Sequence, residues 1–253
     1  MTTATKKPRA LSAEDLGRML GLIKGADSVE LKLTVPESDQ RSAISSLGMD
    51  PLDAQIRQVF FYDTPDLRLN KMGLVVRARR IQGKGGDSVV KLRPIVPDDL
   101  SADLRKSPAF GVEVDAMPGG YVCSASLKGK VGINDAREVA AGSRPIRKLF
   151  SKAQRAFFSQ YARDGTSLDD LSVLGPIVVF KLKYVPADYD RSLVAELWMY
   201  PDNSRILELS TKCSPSEAFQ VAAEARAFLH SRGVDLSGEQ QTKTKVALEF
   251  FSK

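Results

Sequence analysis

The chain has 253 residues, a net charge of +6 and a pI near 9.3, with 43% hydrophobic and 27% charged residues. That length can bury a full core as one large domain or two small ones, and the charge favours anionic partners. No run approaches the roughly 18 consecutive apolar residues that span a bilayer, and the single histidine, His230, excludes a His-based metal triad and a Ser-His-Asp arrangement.

Residues 1–9 lack the apolar core of a signal peptide and read as a short disordered tail. With no export signal, Cys123 and Cys213, 90 positions apart, read as reduced and the chain as cytoplasmic. Ser12-Ala-Glu-Asp15 opens a capped helix ending before Gly25. A strand from Ser28 to Val35 comes next, then a helix from Pro36 to about Leu47. Gln55 to Tyr62 is a strand, ended by the turn Asp63-Thr64-Pro65-Asp66. Gly73 to Ile81 and Ser88 to Pro94 are strands joined by a hairpin-type loop, which lacks the spacing of a phosphate loop. Val96 to Pro108 is loop with a short helix, and Ala109 to Met117 a strand closed by Pro118-Gly119-Gly120. From Tyr121 to Arg163 the pattern is helical, best between Lys148 and Tyr161, and Ser167 to Gly175 is a linker. This defines a helical insertion at about 121–175. Three more strands, 176–184, 192–200 and 205–212, precede closing helices at 215–231 and 240–251. His230 falls at the C-terminal end of the first of these, a structural position.

About eight strands with no βαβ rhythm predict an α+β fold, an antiparallel sheet or closed barrel with flanking helices, as one domain over 1–253. Charge alternates with apolar residues along these strands. Glu30, Lys32 and Thr34 share one face, opposite Val29, Leu31, Leu33 and Val35. Arg77 with Arg79, Lys91 with Arg93, Glu113 with Asp115, and Lys181 with Lys183 pair in the same way, and Glu196 and Glu208 have apolar neighbours. The strands form either a sheet with one wet face or a barrel whose lumen is lined by both signs of charge. Arginine binds phosphate oxygens bidentately, and oxygen ligands without histidine or cysteine suit Mg²⁺ or Mn²⁺. The basic residues are spread over strands rather than gathered in one tail or helix, which disfavours nucleic acid. The aromatic groups Phe60-Phe61-Tyr62 and Phe157-Phe158 read as core.

Three segments resemble a known signature: Val29-Glu30-Leu31-Lys32, Phe61-Tyr62-Asp63-Thr64-Pro65-Asp66-Leu67, and Lys71-Met72-Gly73-Leu74-Val75-Val76-Arg77-Ala78-Arg79. Together they resemble the CYTH domain, or triphosphate tunnel metalloenzymes. The order Lys91/Arg93, Glu113/Asp115, Lys181/Lys183, Glu196 and Glu208 fits the same pattern, and Thr242-Lys243-Thr244-Lys245 loosely echoes a late lysine helix. The resemblance implies an eight-stranded antiparallel tunnel that hydrolyses a triphosphate substrate, inorganic tripolyphosphate or an organic triphosphate, with Mg²⁺ or Mn²⁺. It assigns substrate binding to Lys32, Arg77, Arg79, Lys91, Arg93, Lys181, Lys183, Lys243 and Lys245. Metal binding falls to Glu30, Glu113 and Glu208, and catalysis to Glu30, Lys32, Asp115 and Glu196. Ser28, Trp198 and Ser210 stand where the pattern leads one to expect carboxylates. A non-catalytic polyphosphate- or nucleotide-binding tunnel and an adenylate cyclase of class IV are the alternatives. The expected partner is a triphosphate or polyphosphate small molecule, with no membrane; a homodimer is compatible with the sequence.

Overall fold

Strands that are apolar on one face and charged on the other must cover the first and find opposite charge or water for the second. In the computed structural model, which describes residues 12–162, 165–236, 238, 240 and 242–252, the chain does both by closing its sheet. Nine strands are present: β1 (Ser28–Val35), β2 (Gln55–Asp63), β3 (Leu74–Ile81), β4 (Gly86–Leu92), β5 (Phe110–Met117), β6 (Gly120–Val131), β7 (Ser172–Tyr184), β8 (Leu193–Met199) and β9 (Arg205–Cys213). They form a closed barrel in the order β1-β5-β6-β4-β3-β2-β7-β8-β9. Eight α-helices accompany them: α1 (Ala13–Gly25), α2 (Gln40–Ser46), α3 (Arg68–Lys71), α4 (Ala102–Arg105), α5 (Asp135–Ala140), α6 (Lys152–Tyr161), α7 (Ala218–Ser231) and α8 (Lys243–Phe251). The tail at residues 1–9 lies outside the described residues.

Two expectations are corrected. The barrel has nine strands rather than eight, because residues 120–131 form β6 instead of the start of a helical insertion. Along β6, Cys123, Ala125 and Leu127 alternate with Ser124, Ser126 and Lys128. This is a period of two, blurred because serine and alanine differ little in polarity. The helices of the insertion begin only at Asp135. The barrel is also not wholly antiparallel. β1 runs parallel to β5 over Ser28–Leu31 and Glu113–Ala116, and antiparallel to β9 along nearly its whole length.

Outer apolar faces pack under helices in three clusters. Phe60, Tyr62, Val76 and Val90 meet Val139 of α5 and Phe157 and Phe158 of α6. Leu33, Leu193 and Leu209 meet Ala43 of α2 and Ala225 and Phe228 of α7, and Val29, Val112 and Val114 meet Ile23 of α1. The fourth cluster is different. Val59, Phe61, Val75, Ile177, Val179, Trp198 and Ile206 gather with Ala247 and Leu248 of α8. Register puts Val59 opposite Arg79 and Phe61 opposite Arg77, so these residues share the arginines' inward face. Helix α8 therefore plugs one end of the lumen. No helix among the described residues is long and apolar enough to cross a membrane.

Gln154 fastens α6 to the barrel wall. Its side-chain oxygen accepts from Ser151 N (2.9 Å) and Ser88 Oγ (3.1 Å), and its amide donates to the carbonyls of Ser88 and Leu127, each at 3.1 Å. All four bonds are buried or half-buried, so truncation strands several groups away from water. Gln154→Ala is expected to lower unfolding free energy by about 2–4 kcal/mol, the sum of a few unsatisfied buried groups, measured by denaturant titration.

Candidate functional site: a charged tunnel closed at one end

The turn after β2 sets the site's frame. Asp63, buried at the end of β2, accepts from the backbone N–H groups of Thr64 (2.7 Å), Leu69 (2.9 Å) and Asn70 (3.0 Å). The carboxylate caps α3 and so fixes where β3 begins. Gly73, at φ +78, comes next. A Cβ there would lie 2.2 Å from the Arg93 carbonyl oxygen, and Arg93 N donates to Gly73 O at 2.9 Å. The turn's role is architectural. It seats the strand of Arg77 and Arg79 beside Arg93.

Three groups of charge line the lumen. In the first, Lys32 Nζ lies 3.0 Å from Glu30 and 2.8 Å from Asp115, and Lys91 Nζ reaches the other Asp115 oxygen at 3.2 Å. Burial alone would raise the Asp115 pKa, but the Lys91 and Lys32 ammoniums override it and bring it down to about 2. Lys32, despite burial, is driven up by Asp115 and Glu30. Glu113 joins this group, with Lys212 at 2.5 Å on its outer side.

The second group lies beside the plug. Lys243, the first residue of α8, is bound by Glu196 and by Glu208 (2.7 Å), and it lies 5.2 Å from the centre of the Trp198 ring. Glu196 also holds Lys181 at 3.1 Å. Burial would raise Glu196, yet Lys243 and Lys181 hold it well below the carboxylate range, whereas burial leaves Glu208 raised.

The third group is cationic. Arg79 is forked onto Asp87 at 2.8–3.1 Å. Among the described residues no carboxylate lies within ion-pair distance of Arg57, Arg77 or Arg93, and Arg77 Nε is buried with no hydrogen-bond partner. Burial and the neighbouring Arg79 lower Arg77 to about 10.

The tunnel brings together Glu30, Lys32, Arg77, Arg79, Lys91, Arg93, Asp115, Lys181, Glu196, Glu208 and Lys243. Two lysines fall elsewhere. Lys183 continues the Lys181 face but is exposed, and Lys245 is turned outward on α8, 67% exposed and 3.8 Å from Glu249. A helix advances about 100° per residue, so residues two apart cannot both face the lumen. Oxygens of Glu30, Glu113 and Asp115 all lie within 4.8 Å of one another. A set of carboxylate oxygens at this spacing fits a hard divalent cation such as Mg²⁺ or Mn²⁺. Glu208, read from the sequence as a ligand, is held by Lys243, and Asp115 stands in the carboxylate set.

Two of the positions lacking the expected acid carry hydrogen-bond donors. Ser210 Oγ donates to Glu30 (3.2 Å) and Trp198 Nε1 to Glu196 (3.3 Å). Sequence reasoning missed Arg57, which shares the β2 inward face with Val59 and Phe61. The period-two pattern Arg57, Val59, Phe61 carried that signal, but the apolar partners pointed to core.

No family model matches the chain, and no curated protein matches it in sequence. Solved structures do match. One is a protein of Hippeastrum described as a candidate adenylyl cyclase with dominant triphosphatase activity, at TM-score 0.65 and 16% identity, over 87% of this chain and 95% of that one. Another is a candidate adenylate cyclase of Bacillus halodurans, at TM-score 0.58 and 13% identity, over 87% and 96%. The chain shares with these proteins the fold of a closed β-barrel with flanking helices.

The carboxylate between two lysines makes the folded protein acid-sensitive. Asp115 has a folded pKa near 2 against an ordinary 3.8. Its contribution is therefore complete above about pH 4 and is lost as pH falls through 2. Asp115 should account for about 2 kcal/mol of the acid-linked stability loss. In chelator-treated protein, Asp115→Asn should flatten the fall in melting temperature between pH 4 and pH 2.

Proposed function

We propose that the chain hydrolyses a phosphoanhydride bond of a triphosphate held in the tunnel, assisted by Mg²⁺ or Mn²⁺. The observation that carries this reading is the pairing of opposites within one lumen. Arg77 and Arg93 are half-buried, with no carboxylate at ion-pair distance among the described residues, and Arg77 Nε is buried without a partner, while Glu30, Glu113 and Asp115 cluster as a cation-binding set. An isolated charge is costly to bury; a bound polyanion turns that cost into binding energy, and triphosphate has charge enough to meet several cations. The fold shared with a triphosphatase supports the same reading.

Arg77 and Arg93 bind phosphate oxygens, with Arg79 and Lys181 available by exchange from Asp87 and Glu196. Lys32 and Lys91 keep the carboxylates ionised, since their ammoniums drive Asp115 down. Glu30, Glu113 and Asp115 would hold a divalent ion, which would supply Lewis-acid charge neutralisation and lower the pKa of water there. Glu196, ionised and held by Lys243, orients the incoming water. Lys32 and Lys91 occupy oxygens of Glu30 and Asp115 that such an ion would use, so binding of the ion would release them to meet phosphate. Metal and triphosphate should therefore bind more tightly together than either alone.

The test is a panel of tripolyphosphate, thiamine triphosphate, ATP and GTP, with and without Mg²⁺ or Mn²⁺, scored for phosphate and for cyclic nucleotide. Phosphate release that needs metal is expected. Arg77→Gln should cut kcat/KM by about 10- to 100-fold, the order of one to two charge-assisted bonds, and Glu30→Gln should stop turnover while tripolyphosphate still binds in calorimetry. Tight tripolyphosphate binding with no product from any substrate would instead make the tunnel a binding module. Cyclic nucleotide as the main product would make it a cyclase.

A further inference from the structure

Arg57 belongs to none of the roles above. It lies on β2 opposite Ile81 and Val179, one step along the inward face from Val59 and Arg79. Gln55, one step further, is opposite Lys181. The step from Phe61 to Gln55 runs away from the α8 plug toward the end where Lys183 and Lys212 are exposed, so Arg57 is the outermost of the lumen arginines.

A half-buried arginine commonly finds a carboxylate or turns its head into water. Arg57 does neither. Its Nε and Nη2 both donate to one neutral acceptor, Gln55 Oε1, at 3.0 and 2.7 Å. The glutamine fixes the guanidinium without cancelling its charge. The neighbouring cations are already neutralised, Arg79 by Asp87 and Lys181 by Glu196. Arg57 is thus a positioned charge at the entrance with no carboxylate partner at ion-pair distance among the described residues, lying beside Arg79. An arriving anion supplies that partner.

We infer that Arg57, held by Gln55, is a specificity-determining residue that receives a phosphate beyond the third. The tunnel then takes linear inorganic polyphosphate of four or more units in preference to a nucleoside triphosphate. The inference rests on the proposed phosphate-binding tunnel. The group attached beyond the third phosphate decides between the two classes of anion. In a nucleotide it is a sugar and base, which call for an aromatic or apolar face. The lumen's aromatic side chains, Phe61 and Trp198, are 0% and 3% exposed beneath α8. The open end offers Arg57, Lys183 and Lys212 and, among the described residues, no inward aromatic side chain. A further phosphate fits what is there; a base does not.

The experiment is calorimetric titration of the full chain with tripolyphosphate, linear tetraphosphate and ATP. Tetraphosphate should bind the wild-type protein about tenfold more tightly than tripolyphosphate, the order of one charge-assisted contact, and ATP no more tightly than tripolyphosphate. In Arg57→Gln the ratio of tetraphosphate to tripolyphosphate affinity should fall to about one, and Arg57→Lys should retain part of it. Equal affinities in the wild type, an unchanged ratio in a folded Arg57→Gln, or tighter ATP binding would overturn the inference while leaving the tunnel's function standing. If none of the three ligands binds, inference and function fall together.

Discussion

Charge shut inside a closed barrel is the constraint on which the rest of this molecule depends. Closing the sheet removes its edges, but it also sends every second residue of nine strands into a confined space. Where those residues are apolar, as near Phe61 and Ile177, they pack against α8 and become core. Where they are carboxylates they are answered by lysines, because an unpaired buried charge costs several kcal/mol. Lys32 and Lys91 answer Glu30 and Asp115, and Lys243 answers Glu196 and Glu208. The arginines Arg57, Arg77 and Arg93 are left without such an answer among the described residues.

Helix α8 belongs to this electrostatic arrangement as much as to the core. Its apolar residues close the end of the lumen, and its first residue brings in the cation that two neighbouring glutamates need. Glu196 and Glu208 face each other across β8 and β9, an arrangement that repels without Lys243. Replacement of expected acids by Trp198 and Ser210 acts in the same direction. Each removes a negative charge and puts a donor on a remaining carboxylate, so fewer acids are held more firmly.

Much of this was legible in the sequence because a strand's period of two is simple and the charges in it are conspicuous. The inward positions of Glu30, Lys32, Arg77, Arg79, Lys91 and Asp115 all follow from it. Strand β6 was not legible, since its serines and alanines give little contrast and its glycines and lysines suit a loop equally well. Arg57 was hidden for the opposite reason: two of its companions on that face are core residues, so the face did not read as a site. The Glu30–Glu113–Asp115 group depends on β1 running parallel to β5, a pairing between strands about 80 residues apart in the chain that no local pattern announces. The resemblance groups Lys245 with Lys243, whereas on a helix residues two apart cannot both turn inward, and Lys245 faces out.

A passage sealed at one end handles traffic differently from one open at both. Everything that enters past Lys183 and Lys212 has to leave by the same way, and an occupant near α8 waits for whatever lies between it and the entrance. Order of departure is then dictated by position rather than by affinity. The seal itself is the last helix of the barrel's cover, about ten residues beyond α7, so the closed end is created only after all nine strands have been made. A chain shortened before Lys243 would lose that seal and bare the apolar residues around Phe61 and Trp198 that α8 covers.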